Sequence, residues 1–430
     1  MSAARVPFTF VHAADLHLDS PFKGLSKAPA AVRERAREST FAALRGLCEL
    51  VEREKADFVV LAGDLYDAAD RSLRAQLRLQ RALGDMAERG ARVFVTHGNH
   101  DPESGRQAKL VWPPGVRVFG SAEPECEPAY TRGGELAAYV YGMSYANRSV
   151  TDNLALRYRK KDGAPFHVAV LHANVDGDPG HDDYAPCKLE ELAASGFDYW
   201  ALGHVHARKV LREYPHVVYP GNLQGRSVRE TGPKGAYVVS VSASGEVETR
   251  FRDLADVLWT ELPVSIEGMD REQELRDAML GALEEARREA AGRPVLARIR
   301  LEGRGPLHER TLKDGGFEDW LEALRELLPS PEETEDWVWP ESLTVRTGIT
   351  RSADRESERD GFLGELLGRG AAAAENPEES GKLVEEATEA LRLQPKLREW
   401  LDGRTPEERE LWIRRAMELG ESLLRDEDAG

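Results

Sequence analysis

Short apolar runs alternate with abrupt polar clusters over about the first 255 residues. Five such runs end in Asp, Asn or His: FTFVHAADLH (8–17), DFVVLAGDLYD (57–67), RVFVTHGNHD (92–101), FHVAVLHANV (166–175) and DYWALGHVHAR (198–208). Continuous apolar runs of this length are typical of strands that are buried on both faces. Stretches rich in Ala, Leu, Arg and Glu lie between the first three runs and predict helices at about 30–54 and 71–90. The pattern therefore predicts a layered α/β domain over 1–255.

A different pattern follows and predicts a smaller α+β capping domain over 256–350. Its expected strands are WTELPVSIEG, PVLARIRLEG and SLTVRTGI, and its expected helices lie at about 270–290 and 316–327. The next segment, 351–381, is rich in small, polar and acidic residues. Such a composition favours a mobile linker.

The C-terminal segment, 382–430, is predicted to be helical and to bind a partner. Thr405, Pro406 and Glu408 form a helix-start signature before a helix at about 406–425. That helix carries apolar residues at three- and four-residue spacing, which are Trp412, Ala416, Leu419 and Leu423, with Ile413, Met417 and Leu424 beside them. An apolar stripe of this kind is buried against another surface. It either packs on the capping domain or docks onto a partner as a helix in a groove.

The negative charge of the chain is confined to its second part. The 430 residues carry a formal charge of -18, but residues 1–250 hold 32 Lys and Arg against 32 Asp and Glu. The remaining residues hold 26 against 44. Net charge bears on the choice of partners. The first part is therefore not repelled from a phosphate chain, whereas the second is poorly suited to contact nucleic acid.

Other features argue against a membrane or secreted protein. No run approaches the roughly 18 apolar residues of a membrane span, and the first residues do not resemble a signal peptide. Cys48, Cys126 and Cys187 lie far apart, which indicates neither a disulfide framework nor a thiolate zinc site. We expect a cytoplasmic protein.

The polar clusters at the five strand ends are the candidate site. In open α/β sheets the carboxyl ends of strands converge on one crevice. One cluster alone has an ordinary explanation, since GNHD is most often a turn, but five clusters at five strand ends favour a site. Carboxylate, amide and imidazole groups without thiolate suit a divalent ion, and seven candidates suggest two ions bridged by Asp64. The candidates are Asp15, His17, Asp64, Asn99, His172, His204 and His206. Two such ions can clamp a phosphoryl group, so the predicted chemistry is phosphate ester hydrolysis.

Five motifs occur in order over about residues 8–255: D-x-H, G-D, G-N-H-D, a lone His after a strand and G-H-x-H. Together they resemble the calcineurin-like metallophosphoesterase superfamily. A narrower resemblance lies in the stretches ADLHLDSPFKGL, GDLYD, LHANV, YAPC and WALGHVHARKVL. They resemble the bacterial YhaO-type branch of DNA repair exonucleases related to Mre11 and SbcD. The resemblance implies an α/β/β/α sandwich. It also implies one metal held by Asp15, His17, Asp64 and His206, and a second held by Asp64, Asn99, His172 and His204.

The resemblance further assigns roles beside the metals. His100 would be the general acid, and Asp67 stands where related phosphoprotein phosphatases place a carboxylate that orients this His. Arg208 and Arg226 are candidates for substrate phosphate contacts, and RYRKK (157–161), Lys209 and Arg229 are further local cations that either serve the same purpose or form an ordinary solvated surface. Ser227 follows QGR where this branch often has His, which puts a substrate role there in doubt.

The function expected from this resemblance is a manganese-dependent phosphodiesterase with two divalent ions, acting as an exonuclease on DNA ends in repair. Its expected partners are DNA and a coiled-coil ATPase of the Rad50 and SbcC kind. The oligomeric state stays open, a homodimer included. Two alternatives remain: a phosphoprotein or small-nucleotide phosphoesterase, and a non-catalytic scaffold subunit of an ATPase complex.

Overall fold

The computed structural model describes residues 5–22, 24–70, 72–105, 108, 110–178, 180, 182–308, 312, 317–349 and 362–427. These residues divide into two compact units. The first covers the described residues of Met1–Val264, Gln273–Leu301 and Gly316–Val345. The second covers those of Ser265–Glu272, Glu302–Gly315 and Arg346–Gly430.

The N-terminal strands belong to a six-stranded sheet. Across the sheet its strands are β12 (Val247–Asp253), β11 (Gly235–Val241), β1 (Phe8–Ala13), β2 (Phe58–Ala62), β3 (Arg92–Thr96) and β4 (Val116–Val118). The strands β1 to β4 pair in parallel, and β11 joins β1 antiparallel. The carboxyl ends of β1, β2 and β3 therefore lie at the same edge.

A second six-stranded sheet holds the later apolar runs. Across this sheet the strands are β5 (Glu125–Tyr130), β6 (Leu136–Gly142), β7 (His167–His172), β8 (Tyr199–Gly203), β10 (His216–Tyr219) and β9 (Lys209–Glu213). The neighbours β6, β7, β8 and β10 are parallel, so β7 and β8 also end at one edge.

The two sheets pack face to face, and helices cover their outer faces. In β2, Phe58, Val60 and Ala62 enter the core between the sheets. Val59 and Leu61 instead enter the core beneath α1 (Ala30–Arg53) and α2 (Leu73–Glu88). The outer face of the second sheet packs against a core that includes α3 (Leu189–Ala194). This arrangement confirms the predicted α/β/β/α fold class, and burial on both faces explains why β2 lacks polar alternation.

Residues 256–350 contain the elements that their pattern predicts. The strands β13 (Leu258–Ser265), β14 (Val295–Arg304) and β15 (Val338–Gly348) form a three-stranded sheet, and α4 (Glu272–Glu289) and α5 (Phe317–Leu327) accompany it. Trp259 and Trp337 share a buried cluster with Val32 and Ala36 of α1. Most of this segment therefore belongs to the same compact unit as the two large sheets.

The C-terminal part differs from its prediction. It contains α6 (Phe362–Glu375), α7 (Pro377–Ala387), α8 (Pro395–Asp402) and α9 (Pro406–Glu427). The linker predicted over 351–381 is therefore wrong for 362–381, while 351–361 lies outside the described residues. Alanine is the best helix former, and the Asn376 side chain caps α7, with Pro377 at its first turn.

The apolar stripe of α9 packs against its neighbouring helices rather than standing alone. Ile413 forms a small core with Ala374 and Val384, and Trp412 and Met417 border it. The side chains of Leu419, Leu423 and Leu424 lie outside the described residues. In the described part of the chain, no helix has the length and apolar composition of a membrane span.

Candidate metal centre

The structure brings together the seven predicted ligands at the ends of five strands. They are Asp15 and His17 after β1, Asp64 after β2, Asn99 after β3, His172 at the end of β7, and His204 and His206 after β8. One ligand atom from each of Asp15, His17, Asp64 and His206 lies within 4.8 Å of the others. The His172 Nε2 atom lies 2.9 Å from Asn99 Oδ1 and 3.4 Å from Asp64 Oδ2. The strand ends thus form two adjoining groups that share Asp64.

Unusual backbone conformations aim these side chains. Asp15, His17, Asp64 and His204 all have positive φ, with values of 52°, 42°, 52° and 104°. Non-glycine residues seldom adopt this region, and each instance costs roughly 1–3 kcal/mol. Backbone hydrogen bonds hold the loops, since Asp15 N–H donates to Gly63 O and His17 N–H donates to Asp64 O, at 3.1 and 3.0 Å. Such clusters of strain are typical of functional sites.

Asp101 fastens the loops after β2 and β3 to each other. Its carboxylate accepts hydrogen bonds from the backbone N–H groups of Asp64, Leu65 and Gly98, at 3.2, 3.1 and 2.7 Å. Gly98 also leaves room for the site, because a Cβ there would lie 2.9 Å from ring carbons of His172. This role of Asp101 was not predicted from the sequence, although Asp101 ends the GNHD motif.

The first group has the chemistry of a cation site. His17 Nδ1 lies 3.2 Å from Asp67 Oδ1, and His206 Nδ1 lies 2.7 Å from Glu230 Oε1. A neutral imidazole that donates from Nδ1 carries its lone pair on Nε2, and metal-binding His is commonly held by a carboxylate in this way. The two Nε2 atoms face each other at 3.1 Å. Two lone pairs at this separation repel unless a cation binds both, so these residues fit a metal ion.

The second group has the same character. His172 Nδ1 donates to the carbonyl of Ala62 at 2.9 Å, which directs its Nε2 lone pair toward Asn99 Oδ1 and Asp64 Oδ2. The His204 ring centroid lies 5.1 Å from that of His172, and its backbone N–H donates to Asp15. Several acceptors therefore converge here, and a second divalent ion would satisfy them.

Burial disfavours the charged forms of Asp15 and His17 in the first group. Burial raises the pKa of Asp15 to about 6, against the opposing effect of nearby His172. Burial also lowers the pKa of His17 to about 3, and the positive charge of Arg226 acts in the same direction. A divalent cation would supply the counter-charge that a buried Asp15 carboxylate requires. The neutral form of His17 keeps a lone pair available for such an ion.

His100 and Asp67 form a pair beside the ligands. His100 Nδ1 lies 2.5 Å from Asp67 Oδ1, and the His100 backbone N–H donates to Asp64 Oδ1 at 2.9 Å. Asp67 also contacts Arg226, at 3.6 Å from its Nη1. Burial favours the neutral His100 ring, but the hydrogen bond to Asp67 and the charge of Asp64 outweigh it and raise the pKa of His100. The pair thus favours the protonated form of the His100 ring at the edge of the site.

A cavity of about 1180 Å³ opens over these residues. Asp64, His100 and His206 line it together with Arg208, Arg226 and Arg229. The Arg208 guanidinium lies 4.3 Å from the centre of the Phe251 ring. The basic run at 157–161 is not among the described lining residues, and Arg159 and Lys160 donate to backbone carbonyls instead.

Sequence reasoning also missed Glu230. Besides His206, this carboxylate accepts hydrogen bonds from Asn222 Nδ2 at 3.0 Å and from the Arg226 backbone N–H at 2.7 Å. It therefore connects a predicted metal ligand with a predicted substrate contact. Its only sequence signal is its position four residues after Arg226 in GRSVRE.

Comparisons with known proteins agree with this geometry. The family model Calcineurin-like phosphoesterase matches residues 8–208, and the model Metallophosphoesterase YhaO, middle domain, matches residues 259–348. The chain is 42% identical over 340 residues to a Bacillus subtilis (strain 168) protein described as the uncharacterized metallophosphoesterase YhaO. That match covers 79% of this chain and 82% of the relative.

More distant relatives have names that refer to nucleases. The chain is 27% identical to the DNA double-strand break repair protein Mre11 of Aeropyrum pernix, over 53% of this chain and 56% of that protein. It is 24% identical to a subunit of the nuclease SbcCD of Bacillus subtilis (strain 168), over 56% of this chain and 67% of that protein.

Proposed function

Because the chain belongs to the calcineurin-like metallophosphoesterase family, we propose that it is a metal-dependent phosphodiesterase that cleaves DNA from its ends. The observation that carries the proposal is the pair of ligand groups sharing Asp64, with the His100–Asp67 pair directly beside them. Ligands alone would suit any phosphoesterase of this family. A His whose Nδ1 is held by a carboxylate at the edge of the site would supply the proton that a basic alkoxide needs to leave.

The proposed ligand sets are those implied by the sequence. Asp15, His17, Asp64 and His206 would hold one ion, and Asp64, Asn99, His172 and His204 the other. Manganese suits this mixture of carboxylate, amide and imidazole ligands. Bound there, two such ions would polarise the phosphoryl group and make a hydroxide nucleophile available near neutral pH.

The residues of the chain would then direct the reaction. Water gives up one proton to solvent and adds its oxygen to phosphorus, the P–O bond to the leaving group breaks, and His100 donates a proton from Nε2 to the leaving oxygen. His100 then regains a proton from solvent. The products are a phosphomonoester and an alcohol. Asp67 positions His100 through its contact with Nδ1, which leaves Nε2 as the atom that transfers the proton. Arg226, which lines the cavity and contacts Asp67, would bind a non-bridging phosphate oxygen.

Three observations favour DNA as the substrate. Two relatives carry names that refer to DNA break repair or to a nuclease. Arg208, Arg226 and Arg229 line a cavity of about 1180 Å³, which exceeds what a phosphate group requires. Residues 1–250 have balanced charge, so the acidic excess of the chain lies elsewhere.

The class of substrate is tested by comparing a diester with a monoester. We expect the metal-depleted protein to be inactive, and Mn²⁺ to restore hydrolysis of bis(p-nitrophenyl) phosphate with much slower hydrolysis of p-nitrophenyl phosphate. Faster hydrolysis of the monoester would favour the small-substrate phosphoesterase. Hydrolysis of neither ester with any divalent ion would favour the scaffold subunit.

Glu230→Gln tests the carboxylate behind His206. Loss of the charge that holds Nδ1–H should weaken metal binding by roughly 10–100-fold, as is typical for a residue that supports a ligand. The measurement is a Mn²⁺ titration by calorimetry, which requires no turnover. Glu190→Gln is the matched control, because Glu190 is exposed and lies on α3. Unchanged Mn²⁺ affinity in Glu230→Gln would remove Glu230 from the metal centre.

We also propose that the C-terminal helices bind a coiled-coil ATPase of the Rad50 and SbcC kind. One relative is named as a subunit of the nuclease SbcCD, so that relative is part of an assembly. Although α9 packs against α6 and α7, large apolar side chains remain exposed in α6 to α9 and in the segment between α7 and α8: Leu366, Leu383, Leu391, Leu393, Trp400 and Leu411. Exposed apolar groups in one region favour a protein contact.

The partner contact is tested by Leu393→Glu combined with Trp400→Glu. These side chains are 84% and 50% exposed, so the substitutions should preserve folding. We expect co-purification with the ATPase to fall at least about tenfold, the effect of losing roughly 1.4 kcal/mol, with ester hydrolysis unchanged. Leu156→Glu is the control, since Leu156 is 53% exposed outside these helices. Undiminished co-purification would locate the ATPase contact elsewhere.

A further inference from the structure

A second cavity adjoins the first at His100. Its volume is about 480 Å³, within the range of roughly 300–1,000 Å³ that is usual for small-ligand sites. Asp67, Asn99 and His100 line both this cavity and the larger one. The His100 side chain is 34% exposed, so it is accessible where the two cavities meet. A group bound at the metal ligands could therefore extend past His100 into the second cavity.

The walls of this second cavity are held by backbone hydrogen bonds. Glu103 N–H donates to Tyr145 O and Ser104 N–H donates to Ala146 O, both at 3.0 Å. Ala68 N–H donates to His100 O at 2.8 Å on the opposite side. The loops after β2 and β3 and the segment after β6 are thus tied together. The cavity is a built feature of these loops rather than a gap between independent surfaces.

Arg148 gives this cavity a recognition group. The described residues that line it include one arginine, Arg148, and two carboxylates, those of Asp67 and Asp70. The Arg148 side chain is exposed, and no described residue forms a hydrogen bond or an ion pair with its guanidinium. The Asp67 carboxylate already contacts the Nδ1 atoms of His17 and His100. An arginine that none of the described carboxylates neutralises is suited to bind a phosphate.

We propose that this second cavity receives the leaving-group side of the substrate, and that Arg148 binds the next phosphate along that strand. The inference rests on the proposed function and specifies the substrate side of the same site. A general acid must stand beside the oxygen that leaves. If His100 donates that proton, the leaving strand lies next to His100, and the second cavity is the space there that Arg148 lines. A nucleotide there would bring its neighbouring phosphate toward Arg148, whereas a small leaving group would not reach it.

Asp70 allows a second substitution whose expected effect is opposite to that of removing the Arg148 charge. It is an exposed carboxylate in the same cavity, and it repels any phosphate that Arg148 attracts. Removing the Asp70 charge should therefore help a polynucleotide substrate, and removing the Arg148 charge should impair it. A general loss of folding would not produce opposite effects from the two substitutions.

The experiment compares substrates with and without a neighbouring phosphate, using the full chain and Mn²⁺. The dinucleotide TpT and bis(p-nitrophenyl) phosphate have none, whereas in a ten-nucleotide oligothymidylate that carries a phosphate on both ends every internucleotide bond, the terminal ones included, has one on either side. Arg148→Ala should lower kcat/KM for the oligothymidylate about tenfold, as expected for a charged hydrogen bond, and should leave both small substrates within about twofold. Asp70→Asn should raise kcat/KM for the oligothymidylate alone.

Salt dependence gives an independent measurement. Loss of one phosphate contact to single-stranded DNA should flatten the slope of log(kcat/KM) against log[salt] by about 0.7. Arg33→Ala is the matched control, because Arg33 is an exposed arginine on α1 outside both cavities, and it should change neither slope nor rate.

The outcomes separate the two proposals. Wild-type protein that hydrolyses no phosphodiester would overturn the proposed function and, with it, this inference. Wild-type protein that hydrolyses all three substrates, combined with an Arg148→Ala effect that is absent or equal on all of them, would overturn the inference alone.

Discussion

Asp64→Ala is expected to reduce phosphodiester hydrolysis by at least about 10³-fold, which corresponds to ~4 kcal/mol of transition-state stabilisation. The Asp64 carboxylate is the group that both proposed ligand sets share. Its Oδ2 lies 3.7 Å from His17 Nε2 and 3.4 Å from His172 Nε2. Its Oδ1 accepts the backbone N–H of His100. Alanine would therefore disrupt both sets and the attachment of the general acid, and no choice of divalent ion should restore the rate.

The measurement for Asp64→Ala pairs turnover with bound metal determined by elemental analysis. Asp152→Ala serves as the control, because Asp152 is exposed and should retain both properties. A folded Asp64→Ala protein that keeps its activity would contradict the shared-ligand arrangement. Full activity of the wild type after exhaustive chelation would contradict it equally.

His100→Asn is expected to lower the rate on DNA by roughly 10²- to 10⁴-fold, the usual contribution of a general acid. Asparagine keeps a polar side chain but has no proton to transfer at neutral pH. His100 contacts Asp67 rather than belonging to either proposed ligand set, so the Mn²⁺ content should not change. Substrate affinity should not change either, because the loss belongs to the transition state.

The leaving group separates proton donation from a structural effect of His100→Asn. A p-nitrophenolate departs readily without protonation, whereas the alkoxide of a nucleotide does not. The loss should therefore be much smaller for bis(p-nitrophenyl) phosphate than for TpT. Equal losses on the two substrates together with depleted Mn²⁺ would make His100 a ligand instead of an acid.

The central fold was predictable because its strands are buried on both faces. β1, β2, β3, β7 and β8 all lie within the five apolar runs of the sequence. The outer strands were not predicted, because they mix exposed and partly buried residues. Examples are β9, with the sequence KVLRE, and β12, with the sequence VETRFRD. Such edge segments lack the long apolar run from which the inner strands were recognised.

The segment 362–381 was mispredicted because composition outweighed local helix signals. Its small and acidic residues suggested a linker, but the alanines of α6 favour a helix and Asn376 caps the next one. The packing of Ala374 and Val384 against Ile413 could not be inferred locally, since these residues are far apart in the sequence. Tertiary contacts therefore decide the state of this segment.

The candidate ligands were predictable because each follows an apolar run, and parallel strands bring such ends together. The supporting carboxylates were not. Glu230 lies far along the loop that follows β10, with no apolar run directly before it, and only the fold brings it 2.7 Å from His206 Nδ1. Asp101 was visible in GNHD, but its bonds to Asp64 and Leu65 depend on two loops meeting across the sheet edge. Contacts between loops have no periodic signal in the sequence.

The most direct test of the proposed function uses end-labelled linear DNA and covalently closed circular DNA of the same sequence. The chelated protein should cleave neither. On addition of Mn²⁺ we expect the linear DNA to be shortened from its ends to small products, while the closed circle persists. No cleavage of linear DNA with Mn²⁺, cleavage without a metal, or equal degradation of the circle would contradict a metal-dependent nuclease that acts at DNA ends.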